Sequence, residues 1–327
     1  MKMVGNIVIR TKKELQTRNE LIAVFSFILL FAIFAISLRR PWMLNLHTMF
    51  RDISWLGIVA IGQTILLISG EFDLSVGSVY AFVGMVFVLL MQAGIGVIPA
   101  FVIALLIALL IGFLNGFISL KFKIPSLLVT LGFLFIYRGA VYLVSGGFNV
   151  VFPDSVRDSA LIEFLGSEPM GFYTSILIFV LIAITFAIVL SWTRFGNHVL
   201  SVGGDPATAL SCGVSLTRVK ITSFMLCSFL AGLSGIIVTC NFSGVSPTFG
   251  TRLEFETIAA AVIGGTALSG GVGSILGTIL GASTLLALRS GLILMGVNIF
   301  VYQILLGPLL IAAVAIKEAI PGLFRYR

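Results

Sequence analysis

Gly203-Gly204-Asp205-Pro206-Ala207-Thr208-Ala209-Leu210-Ser211-Cys212-Gly213-Val214 lies in a loop, 193–220, between two long apolar runs. The Asp205 carboxylate can accept the free N–H groups of a first helical turn. Pro206 suits the first helical position, where its missing donor would be unpaired anyway. Gly213 can take the left-handed conformation that closes a helix. The stretch therefore encodes a short helix of about two turns, signalled at both ends. Two readings stand side by side: a water-facing part that another protein grips, and an ordinary connector between membrane spans.

The rest of the chain makes a membrane setting unavoidable. It has 327 residues, of which 59% are hydrophobic and 10% charged, with a mean hydropathy of +1.17. Soluble domains carry about 25% charged residues. The composition specifies an all-α, polytopic helical membrane protein, with its length taken up by spans. The net charge of +7 points to cytoplasmic loops rich in Lys and Arg and not to nucleic acid. Cys212, Cys227 and Cys240 have neither metal-ligand spacing nor a disulfide framework.

About 20 apolar residues cross a bilayer as a helix. Candidate spans are 21–38, 53–70, 75–92, 97–119, 125–144, 173–192, 219–239, 255–268, 272–289 and 297–316, ten in all, some of them short or broken. The first run is followed by Arg39-Arg40-Pro41 in place of a small-residue cleavage site, so it reads as a span and not a cleaved signal. Most of the 20 Lys and Arg residues fall on one side if both termini are cytoplasmic, although Arg39 and Arg40 run against the rule. The expected organisation is a cytoplasmic tail over 1–20, one transmembrane domain over 21–316 and a cytoplasmic tail over 317–327. The loop 193–220 then faces the cytoplasm, and 145–172, with Asp154, Asp158, Glu163 and Glu168, faces outward.

Two stretches interrupt the spans. Ser69-Gly70-Glu71-Phe72-Asp73-Leu74-Ser75-Val76-Gly77-Ser78 carries two carboxylates that cannot face lipid, where a charge costs about 3 kcal/mol on insertion scales. Asp73 or Ser75 could open the next helix; the segment is either a structural break or part of a pathway. The second runs from Gly264-Gly265 through Gly270-Gly271 to Gly273-Ser274. Gly273, Gly277 and Gly281 then recur every four residues, a small-residue face for close helix packing. Arg138, inside the span 125–144, is a functional candidate by location or a pin for backbone carbonyls.

Catalytic constellations and metal-ligand spacings are absent from the sequence. No Gly-x-x-x-x-Gly-Lys-Ser/Thr phosphate loop occurs, so Leu268-Ser269-Gly270-Gly271 is not read as an ATPase signature. The chain carries no nucleotide-binding motif of its own, and any ATP-driven role needs an outside energy source.

Four blocks resemble the membrane permease subunit of bacterial ABC importers of the ribose/xylose/arabinose type. They are Glu71-Phe72-Asp73-Leu74-Ser75-Val76-Gly77-Ser78; Ile124-Pro125-Ser126-Leu127-Leu128-Val129-Thr130-Leu131-Gly132 with Tyr137-Arg138-Gly139; Thr193-Arg194-Phe195-Gly196 through Gly213; and Ile258 through Gly271. Glu71 stands where Gly is usual, Asp205 where Asn is usual, Asn197 where a basic residue is common, and Thr208 where Ala is common.

The resemblance implies an ATPase-coupling helix at Gly203, Gly204, Asp205, Pro206, Ala209 and Gly213. It adds Thr130 to Glu71, Asp73, Ser75 and Arg138 as pathway or helix-break candidates, and leaves Gly264, Gly265, Gly270, Gly271, Gly273, Gly277 and Gly281 for packing or hinges. The implied partners are a second permease copy or paralogue, two cytoplasmic ATP-binding domains and a periplasmic or lipid-anchored solute-binding protein. ATP and Mg would sit on the partner ATPase, with no cofactor on this chain. The implied location is the bacterial inner membrane. The alternative is a self-contained secondary transporter or facilitator with a midplane site.

Overall fold

A computed structural model describes residues 2–168 and 171–308 together with Ile311 and Ala315, with side chains from Glu20 onward. The helices are α1 (Lys2–Leu38), α2 (Arg40–Ile68), α3 (Val76–Gln92), α4 (Val97–Phe122), α5 (Ser126–Ser145), α6 (Ala160–Gly166), α7 (Thr174–Trp192), α8 (Arg194–Gly204), α9 (Pro206–Ser211), α10 (Leu216–Asn241), α11 (Leu253–Ile263) and α12 (Ile275–Leu294). A further helix, α13, covers Ile299–Pro308. The tail 317–327 and the end of the expected span 297–316 lie outside the described residues.

Among the described residues seven helices are long and apolar enough to cross a bilayer: α2, α4, α5, α7, α10, α12 and the Glu20–Leu38 part of α1. The ten spans expected from hydropathy are therefore not matched one for one. α3 and α13 are apolar but shorter. α11 has 11 residues, reaching about 16 Å at 1.5 Å per residue, half of a hydrocarbon core. The apolar run 255–268 breaks at Gly264 and Gly265, so hydropathy alone overcounted it.

α10 is the centre of the molecule, packed on α2, α3 and α4, while α12 packs on α1, α2 and α11. α2 and α10 bury most of their length; α1, α5 and α7 turn most of theirs outward. The outward side chains are large and apolar, such as Leu106, Leu110, Phe135, Ile136, Leu181 and Ile184. Helices that are apolar all round, with their backbone groups satisfied internally, are at home in lipid. The molecule is a polytopic helical membrane protein.

The expected outer loop 145–172 is not all connector. It holds a strand, Val150–Val151, paired antiparallel with Gly244–Val245, and the helix α6. This strand pair is a small departure from the all-α expectation. It clamps the chain where α10 ends, and residues 246–252 then fold back against the start of α3. A Cβ on Gly77 would overlap Gly250 O and a Glu254 carboxylate oxygen, so the two backbones meet with no room between them.

Arg138 fixes this returning segment. Its guanidinium donates to Pro247 O at 3.0 Å, Phe249 O at 2.7 Å and Gly77 O at 3.0 Å. Three carbonyls from two parts of the chain are thus tied together by one rigid fork of N–H groups. Arg138→Leu should lower stability by about 3 kcal/mol, since buried polar groups left unpaired cost about 1–3 kcal/mol each. Thermal unfolding in detergent measures this; an unchanged melting temperature would contradict the pin.

Candidate functional site

The sequence singles out a break after α2, a glycine-rich turn before α12 and a loop after α7. In space the three meet. The carbonyl of Ile68, at the last turn of α2, accepts the N–H of Gly271 at 2.8 Å. Gly203, in the last turn of α8, lies directly on this bond. A Cβ there would overlap Ile68 O and come within 2.6 Å of Gly271 N. Gly271 has φ 74° and faces Gly204 so closely that a Cβ would overlap the Gly204 Cα. Gly270 rests on Gly203 and Gly70. Only hydrogen atoms fit where Gly203 and Gly271 cross, while Gly70, after α2, is required by its left-handed φ of 83°.

The loop itself folds into two helices, one more than expected. α8 is capped by Thr193, whose hydroxyl accepts from Gly196 N at 3.3 Å, and buries Val199 and Val202. The spacing of Phe195, Val199 and Val202 is an amphipathic helix signal masked by the polar residues around it. Asp205 then ends α8 and opens α9. Its Oδ1 accepts from Ala207 N at 3.1 Å and Thr208 N at 3.2 Å, and its Oδ2 accepts from the Thr208 hydroxyl at 2.5 Å. The Thr208 hydroxyl, followed by its backbone N–H, holds the Asp205 carboxyl below the usual carboxylate range. A depressed carboxyl stays ionised at neutral pH, and its capping contribution is lost only as pH falls through that lowered range.

Gly213 has φ 81° and closes α9. Its N–H bonds Leu210 O at 2.9 Å while Val214 N bonds Ala209 O at 3.0 Å, the paired pattern of a Schellman motif. Ala209 is buried, whereas Pro206, Ala207, Thr208 and Leu210 are exposed. Leu210 is 61% exposed, and a groove of about 240 Å³ on α8 and α9 is lined by Leu200, Gly204, Thr208 and Cys212.

The break at 69–75 is held from two sides. Asp73 Oδ1 accepts from Ser75 N at 2.7 Å and the Ser75 hydroxyl at 2.6 Å. Its Oδ2 accepts from Asn115 Nδ2 at 3.2 Å. From α5, the Ser126 hydroxyl accepts Phe72 N at 3.1 Å and the Thr130 hydroxyl accepts Leu74 N at 3.0 Å. Glu71 is ion-paired with Lys220 at the head of α10, at 2.5 Å. The two carboxylates are thus turned to protein partners and away from lipid.

Ser126, Asn115, Lys220 and Ile68 were not singled out from sequence. Ser126 and Thr130 share a helix face at the i, i+4 spacing, and Asn115 is a lone amide in an apolar run; both signals were available. The contact at Ile68 uses only backbone and left no trace in the sequence.

Of the packing glycines, Gly277 on α12 meets Gly264 backbone to backbone, and Gly281 meets Ala260 O. Gly273 precedes α12, so the four-residue glycine repeat is helical only from Gly277 onward. Arg138, on α5, stands apart from the junction and reaches the start of α3 through Gly77 O.

Residues 45–314 match the family described as branched-chain amino acid transport system / permease component. The probable ABC transporter permease protein YphD of Escherichia coli (strain K12) is 36% identical over 299 residues, covering 90% of this chain and 88% of the relative. The ribose import permease protein RbsC of the same strain is 31% identical, covering 94% and 95%. The xylose/arabinose import permease protein XylH of Sulfolobus acidocaldarius is 32% identical, covering 95% and 86%. No solved structure matches. The chain is a multi-pass membrane protein and belongs to this family of transport permease components.

Proposed function

We propose that this chain is the transmembrane permease subunit of an ATP-driven importer for a monosaccharide or related small polar solute. The observation that carries the reading is the backbone contact of Gly203 and Gly204 with Ile68 and Gly271. A short helix exposed for a partner is joined, with no compressible side chain between, to the ends of α2 and the turn into α12. A push on α9 is therefore transmitted to helix ends in the bundle, because close-packed elements move as units. The solute class follows the relatives named for ribose and for xylose and arabinose.

In this reading both termini and the loop 193–220 face the cytoplasm, and 145–172 faces outward. The partners are a second permease copy or paralogue, two ATP-binding subunits that hold ATP and Mg, and a periplasmic or lipid-anchored solute-binding protein. The chain itself is a transport subunit of the bacterial inner membrane, without a cofactor, and ATP is hydrolysed on its partners. The self-contained transporter draws less support. The charges that suggested a midplane site are engaged elsewhere: Glu71 by Lys220, Asp73 by Ser75 and Asn115, Arg138 by three carbonyls.

Reconstitution with the ATPase and binding protein should give uptake of labelled D-ribose, D-xylose or L-arabinose that requires ATP. Gradient-driven uptake by the permease alone would contradict the proposal. Asp205→Ala should cut ATP-driven uptake about fivefold, the scale of a lost helix cap, and abolish the acceleration of ATP hydrolysis by loaded binding protein. Equal acceleration in variant and wild type would remove α9 from the coupling path. Gly203→Val should lower the melting temperature, since overpacking costs about 1–3 kcal/mol, whereas Ser211→Val, on the exposed face, should not; equal effects would show that the junction is not tight.

A further inference from the structure

The charged side chains described so far close on partners: Glu71 on Lys220, Arg138 on carbonyls. One cluster does not. A cavity of about 270 Å³ lies between the start of α3, the returning segment 248–252, α11, α12 and α13, and is lined by Tyr80, Phe249, Glu256, Arg289, Tyr302 and Gln303 among others. Tyr302 is 2% exposed, and its hydroxyl makes no hydrogen bond among the described residues. Glu256 feels the charge of Arg289 and lies close to the Tyr302 hydroxyl without a hydrogen bond of ordinary length, and no direct ion pair joins Glu256 to Arg289 among the described residues.

A carboxylate and a guanidinium held apart inside a membrane protein, beside an unpaired phenol, are costly unless something fills the gap. The set is chemically mixed. Glu256 accepts only, Arg289 donates only, and Tyr302 and Gln303 do both. Vicinal hydroxyls on a ring, each a donor and an acceptor, match that set. The Phe249 ring offers an apolar surface for the C–H face of a sugar. The volume lies just below the roughly 300–1,000 Å³ of pockets for drug-sized ligands, which suits a single ring. The cavity also shares Arg252, Gln303 and Leu306 with a larger groove of about 470 Å³ lined by Phe255, Phe300 and Ile304, which gives it an open side.

We infer that the cavity between α11, α12 and α13 is a transient binding site for a neutral polyhydroxylated solute on its way through the permease, with Glu256, Arg289 and Tyr302 as its polar contacts. This rests on the importer reading above.

The test uses the complete importer in proteoliposomes, with labelled D-ribose, D-xylose and L-arabinose as probes. Tyr302→Phe removes one oxygen that makes no hydrogen bond of ordinary length among the described residues, and Glu256→Gln keeps shape while removing charge. Each should cut ATP-driven uptake about tenfold, the factor for one lost hydrogen bond to a polar solute. Hydrolysis of ATP stimulated by the loaded binding protein should stay within about twofold of wild type, because binding-protein docking and coupling are untouched. Full uptake in both variants, with wild type transporting, overturns the site. Loss of uptake and stimulated hydrolysis together, with a lowered melting temperature, assigns the cluster a structural role and overturns it equally. A wild type that carries none of the three sugars with ATP defeats the importer reading itself.

Discussion

The hydrogen bond from Gly271 N–H to the Ile68 carbonyl, covered by Gly203, is the constraint on which the rest depends. It satisfies a carbonyl in the last turn of a buried helix, which lipid cannot do. It also fixes three separate parts of the chain at one point. α2 must stop there, the turn into α12 must cross there, and α8 must end there. At Gly203 and Gly271 a Cβ would occupy a neighbour's backbone, and after α2 Gly70 takes the left-handed φ of 83° that glycine favours.

Around this point the polar residues have two kinds of use. One kind closes the ends of broken helices. Ser126 and Thr130 accept the free N–H groups of 72 and 74, and Asn115 and Ser75 saturate Asp73. Arg138 does the same for the segment that folds back after α10. These groups make irregular backbone tolerable inside a bilayer. The other kind, Glu256, Arg289 and Tyr302, lines a cavity, with the Tyr302 hydroxyl left without a hydrogen bond among the described residues. The distinction separates residues that hold the bundle from residues placed to meet a solute.

Much of this was readable from the sequence, for physical reasons. Long apolar runs have one solvent available to them, so the membrane class followed from composition. Asp205, Pro206 and Gly213 act through local backbone geometry, and the cap and the Schellman closure appear where those residue types require them. Span counting did less well. Hydropathy reports apolarity and not helix length, so 255–268 read as a span although Gly264 and Gly265 stop α11 after 11 residues. α8 was missed because its buried stripe is only three residues wide. The cavity at Tyr302 joins residues from five parts of the chain, and no window along the sequence could bring Glu256, Arg289 and Tyr302 together.

The central claim is that α9 and the glycine turn before α12 move as one body. Spin labels at Ala207→Cys and Ser269→Cys, in a Cys212→Ser background, report the distance between them in the assembled transporter. The account predicts the same distance in the nucleotide-free and ATP-trapped states, while the distance between α9 and its counterpart in the proposed second permease subunit changes. A change within the pair approaching one helical turn, about 5 Å, would show that the junction slides, and the coupling route drawn through Gly203 would be wrong.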